Sequence, residues 1–94
     1  AEGDGTILGE GLGVVVLKRL SDAERDGDTI YAVLKGVGSS SDGKGKAIYE
    51  PSSAGQKKAL LAAYKYAGVT PDTIELVEAH GTGTKVGDTV EVTA

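Results

Sequence analysis

Ile74-Glu75-Leu76-Val77-Glu78-Ala79-His80-Gly81-Thr82-Gly83-Thr84 is the stretch on which the fold of this 94-residue chain turns. Residues 74–79 read as a short strand that ends in a glycine- and threonine-rich turn. Working upstream, Pro71 and Gly68 mark the end of the clearest helix, with Gly68 at the C′ position. Within that helix Leu60, Ala63, Tyr64 and Ala67 recur at i, i+3, i+4 and i+7 and define one apolar face. Ser53 and Gln56 are spaced as a capping box at its start. Earlier still, Ile30-Tyr31-Ala32-Val33-Leu34-Lys35-Gly36-Val37 reads as a second strand. Strand, helix and strand within about 50 residues make a βαβ unit, whose crossover is nearly always right-handed. The expected fold class is therefore α/β, with 30–37 and 74–79 parallel in one sheet and residues 56–67 on its face.

The flanks are less regular. Gly9-Glu10-Gly11-Leu12-Gly13 alternates glycine and then runs into Val14 to Leu17, a short β-branched segment that suits a strand buried on both faces. Ser21 and Glu24 fit another capping box, closed by Gly27 after a turn or two. Residues 39–46 read as a polar loop. From about Asp88 the chain turns helical, although Val90, Val92 and Thr93 are weak helix formers. The opening at Ala1 without Met, and the stop at Ala94 inside a continuing element, suggest an excised piece.

Composition narrows the chemistry. There is no cysteine, so disulfides and thiolate metal sites are excluded, and the single histidine, His80, excludes a site built on several imidazoles. No metal site is expected. Ten Lys and Arg against 14 Asp and Glu give a net charge of −4, without the basic stripe that nucleic acid requires. No apolar run approaches a membrane span of roughly 18 residues, and no N-terminal signal is visible. Neither nucleic acid nor membrane is an expected partner, and the missing cysteine fits a reducing, cytoplasmic setting. Leu, Ile and Val supply 22 side chains and Phe, Trp and Met none, a thin core for a small domain.

Two glycine motifs are incomplete. Residues 38–44 match the first seven positions of a P-loop, but Gly45 stands where Ser or Thr must hold magnesium, and no helix follows directly. Gly81-Thr82-Gly83 begins a dinucleotide fingerprint that Val86 interrupts, since glycine is required there. A nucleotide-binding module remains the alternative reading on this motif. His80 carries more. It sits just past the C-terminal end of a predicted parallel strand, where open α/β sheets place ligands. The glycines after it permit close backbone approach, and the threonines supply hydroxyl donors. An imidazole there can donate to developing negative charge or move a proton near neutral pH. Asp88 and Glu91, three apart, share a helical face if this segment is a helix, which read plainly is a solvated acidic face. Lys18, Arg19, Lys57 and Lys58 read as solvated charge.

Glu78-Ala79-His80-Gly81-Thr82-Gly83-Thr84, with Gly87-Asp88 and Glu91, closely resembles the β-ketoacyl synthases, above all the ketosynthase domains of polyketide and polyunsaturated fatty acid synthases. The resemblance extends over the whole chain. It assigns residues 1–20 to the end of an N-terminal ketosynthase half, 21–29 to a connecting segment and 30–94 to the start of the C-terminal half. It implies a thiolase-like fold of two similar α/β halves, each with a mixed five-stranded sheet, in a homodimer. The implied reaction is decarboxylative Claisen condensation of acyl and malonyl thioesters, with an acyl carrier protein as partner. No cofactor is expected on this chain, because the phosphopantetheine belongs to the carrier.

By the same resemblance His80 matches the first catalytic histidine, which supports decarboxylation and the enolate oxygen. Thr82 and Thr84 match positions that hydrogen-bond the phosphopantetheine arm. Glu91 matches an acidic residue that pairs with a family lysine, and Asp88 is structural. Thr89 departs from the family's usual proline. The larger departure is the missing nucleophilic cysteine; the family's lysine and second histidine belong downstream of Ala94. The 94 residues alone are therefore expected to lack condensing activity. A further alternative is a non-catalytic piece that associates through unpaired strand edges.

Overall fold

A computed structural model describes residues 2–43 and 50–94. Three helices and one 3-10 turn form along it: α1 (Leu20–Asp26), α2 (Ser53–Ala67), the turn Pro71–Thr73 and α3 (Lys85–Thr93). The positions Lys44 and Gly45 of the P-loop-like segment, and part of the polar loop, lie outside the described residues.

α2 is the longest element. Ser52, extended at φ −115°, caps it by accepting a hydrogen bond from the Gly55 amide at 3.2 Å. The cap therefore sits one residue before the expected Ser53, which is already the first helical residue. Gly68 ends the helix at φ 66°, as expected of a C′ glycine, and its amide and that of Val69 return to the last-turn carbonyls. The Asp42 carboxylate lies against the first turn, occupying the place that a Cβ on Gly55 would need. A negative charge is favoured there by the helix dipole.

Residues 36–38 run directly against α2. A Cβ on Gly36 would lie 2.6 Å from the Ala63 carbonyl oxygen, and one on Gly38 only 1.9 Å from that of Ala59. Two glycines on one side and Ala59, Ala63 and Ala67 on the other let backbone meet backbone. A groove between residues 33–36, the Ala63–Tyr64–Ala67 face of α2 and Ile74 continues this packing.

The expected sheet is not formed among the described residues. Among the described residues there is no strand: 14–17, 30–37 and 74–79 carry no ladder of backbone hydrogen bonds. A strand exists only through a partner about 4.8 Å away. Residues 36–38 are laid against a helix, and Leu76 and Val77 stay 86% and 70% exposed. The predicted order of apolar segment, helix and apolar segment survives, but not its pairing. Ala23 is the one buried residue among those described. A radius of gyration of 16.8 Å, against about 13 Å for a compact chain of this length, fits that open packing.

α1 also departs from expectation at its start. Its N-cap is Arg19 with no side-chain bond, so Ser21 and Glu24 form no capping box. Ion pairs hold this segment instead. Lys18, expected as solvated charge, joins Asp26 at 2.6 Å and also Asp28, while Arg25 bonds Asp22 at 3.0 Å and Asp26 at 2.9 Å. The Asp26 and Asp28 carboxylates hold the Lys18 ammonium above its ordinary pKa. Gly27 closes the helix in the left-handed conformation at φ 68°, as the sequence indicates.

Candidate functional site

Residues 80–84 form a turn between the 74–79 segment and α3, and acidic side chains of α3 hold it from behind. The Glu91 carboxylate accepts from the His80 amide at 2.7 Å with one oxygen and from the Gly81 amide at 2.9 Å with the other. Asp88 accepts from the Gly83 amide at 3.0 Å. α3 starts at Lys85, earlier than expected, because Thr84 caps it through the Gly87 amide at 3.0 Å. One turn and one helix therefore fix each other.

This arrangement decides the acidic pair. Asp88 and Glu91 do share a helical face, but that face meets backbone amides rather than solvent alone. The amides of Gly81 and then His80 hold the Glu91 carboxyl below the usual carboxylate range, and the nearby His80 adds a smaller effect in the same direction. The resemblance implied a lysine partner for Glu91; in this chain both of its oxygens are engaged by amides.

The two threonine hydroxyls meet over Gly87 in the first turn of α3. Thr82 Oγ1 and Thr84 Oγ1 lie 3.0 Å apart, and Thr84 Oγ1 already accepts from Gly87. Whichever hydroxyl donates to the other, one O–H of the pair has no acceptor within it. His80, Thr82 and Thr84 line the same cleft, of about 740 Å³, together with Thr6, Gln56 and Glu91. The loop thus brings a histidine and a pair of threonine hydroxyls, one O–H of which has no acceptor in the pair, to a single concave space, with the His80, Gly81 and Gly83 amides pinned.

Four sequence-derived site residues, His80, Thr82, Thr84 and Glu91, line that cleft, and Asp88 lies behind it. The sequence reading missed Thr6, Glu50, Pro51 and Gln56 as lining residues. Gln56 reads as part of a capping box, and nothing in its spacing points to a cleft. Thr6 lies 76 residues from its contact, and only the glycines beside it hint at close approach.

The dinucleotide reading loses ground here. A phosphate on this turn would need free amides at the start of α3. The Gly83 and Gly87 amides are instead taken by Asp88 and Thr84, and Asp88 would repel an anion. Among the described residues, no group of three or more His, Cys, Asp or Glu is placed to hold a metal ion, and no helix is long and apolar enough to cross a membrane.

Comparison with known proteins agrees on one family. The family model described as β-ketoacyl synthase, C-terminal domain, matches residues 31–94. The chain is 57% identical over 90 residues to a polyunsaturated fatty acid synthase subunit from Thraustochytrium sp., covering 96% of this chain and 3% of that protein. It is 50% identical over 94 residues to a phenolphthiocerol/phthiocerol polyketide synthase subunit from Mycobacterium tuberculosis, covering 100% of this chain and 5% of the relative. A highly reducing polyketide synthase of Pyricularia oryzae is 51% identical over 92 residues, covering 98% and 3%. The chain therefore spans only a small part of the length of these relatives.

Proposed function

The chain belongs to the β-ketoacyl synthase family, and from that premise we propose that it forms part of a ketosynthase performing decarboxylative Claisen condensation in polyketide or fatty acid synthesis. The observation that carries the reading is the cleft in which His80 stands beside a threonine pair with one free O–H. The substrates are an acyl thioester and a malonyl group on the phosphopantetheine arm of an acyl carrier protein. The setting is the cytoplasmic, homodimeric, thiolase-like α/β enzyme that the family resemblance implies, with residues 1–20, 21–29 and 30–94 as end of one half, connector and start of the next.

In this reading the carbon–carboxylate bond of malonyl breaks, carbon dioxide leaves, and the electron pair remains as a thioester enolate. The enolate carbon attacks the acyl carbonyl, and the cysteine that carried the acyl group departs as thiolate. His80 acts where charge appears: its imidazole N–H donates to the enolate oxygen, an interaction stronger in the transition state than before it. Thr82 and Thr84 hold the arm, offering their free O–H to one of its carbonyl oxygens. Glu91 and Asp88 touch no substrate and hold the turn. The 94 residues contain no cysteine, so condensing turnover belongs to the complete synthase and not to this segment.

Replacing His80 by Ala in the complete synthase tests the assignment. Malonyl decarboxylation should be lost while acyl transfer to the cysteine survives. Equal loss of both would show that His80 does not have this role.

A further inference from the structure

The Thr82–Gly83 peptide is gripped on both sides. Its N–H donates to Asp88 on α3. Its C=O accepts from the hydroxyl of Thr6 at 2.5 Å, across 76 residues of sequence. Residues 3–6 belong to no regular element, so their place beside the turn rests on this bond and on glycine contacts. A Cβ on Gly83 would lie 2.7 Å from the Gly5 carbonyl oxygen, and one on Gly3 would lie 3.2 Å from that of Gly83. Gly83 also has φ +73°, which glycine adopts without strain. Two backbones therefore meet without intervening side chains, and Thr6 supplies the directional contact between them.

We propose that Thr6 is a positioning residue for the carrier-arm site. By fixing the Thr82 carbonyl while Asp88 fixes the next amide, it sets the peptide plane that places the Thr82 hydroxyl against that of Thr84 at the cleft. Thr6 itself also lines that cleft. This rests on the arm-site reading above. A peptide held only by Asp88 can rotate about its flanking bonds, and the free O–H then loses its fixed direction. The effect should fall on binding of the arm rather than on the bond-breaking step, because His80 is held separately by Glu91.

The test is steady-state kinetics of the complete synthase with malonyl on its carrier protein, comparing Thr6→Val, Thr6→Ser and Thr82→Val. Thr6→Val should raise KM for the malonyl carrier about three- to tenfold, the range one hydrogen bond supports, with kcat nearly unchanged. Thr6→Ser, which keeps the hydroxyl, should restore the original KM; a purely structural side chain would not show this split and rescue. Should Thr6→Val fail to fold, Thr6→Ala against Thr6→Ser gives the same comparison. A raised KM in Thr82→Val with none in Thr6→Val overturns the role of Thr6 and leaves the arm site standing. Unchanged KM in both overturns the arm site and this inference together.

Discussion

Glu91 shows how one carboxylate can hold a loop by its backbone. Its two oxygens take two consecutive amides, and those amides belong to the residue that carries the imidazole and to the glycine after it. Because these bonds hold the Glu91 pKa below its ordinary value, their contribution is fully present above the usual glutamate value of about 4.3 and is lost as pH falls through the lowered one. Backbone amide resonances of His80 and Gly81 should therefore move together on acidification, with a midpoint below about 4.3. Glu91→Gln should remove that titration because a carboxamide does not ionise, and its NH2 group cannot accept the second N–H. A midpoint at or above the ordinary value would mean that the clamp does not form in solution. At this level the motif singles out His80, Thr82 and Thr84, which line one cleft, but the bond that fixes the Thr82 carbonyl comes from Thr6, and no local pattern announces a partner so distant in sequence.

Helices were legible where their ends carry chemistry. Gly27 and Gly68 stop α1 and α2 in the left-handed conformation as their positions indicate. The N-termini were harder, because adjacent polar residues compete: Ser52 caps α2 where Ser53 has the capping-box spacing, and Thr84 starts α3 ahead of Asp88. Strands failed for a different reason. Apolar, β-branched segments announce what they could pair with, whereas a ladder depends on a partner that local sequence does not specify. Residues 36–38 illustrate it, since Gly36 and Val37 read as the end of a strand, yet Gly36 and Gly38 serve to bring the chain onto α2. Gly38→Ala should separate that segment from the helix, because its Cβ would fall 1.9 Å from the Ala59 carbonyl oxygen and backbone on both sides must move. Hydrogen exchange at the amides of α2 should then accelerate; unchanged protection would show that 36–38 is not seated there.

Taken whole, the chain leaves apolar side chains on its surface on a scale that a folded monomer avoids. Leu12 is 95% exposed, Val16 92% and Ile7 97%, in a segment with no ladder partner among the described residues. Such an edge pairs readily with further chain. The isolated 94 residues are expected to associate at micromolar concentration, and light scattering that reported only a compact monomer would contradict this. In the synthase proposed above, the same apolar segments would have neighbours to pack on, and the clamped loop would form one wall of a complete site. The direct test of that site is to measure, on one preparation of the complete synthase, carbon dioxide released from malonyl carrier protein and acyl groups loaded on the enzyme, with and without His80→Ala. Release should fall by about 100-fold or more, within the range a positioned acid–base group contributes, while loading stays near that of the unaltered enzyme. Decarboxylation that persists without the imidazole would contradict the role assigned to His80.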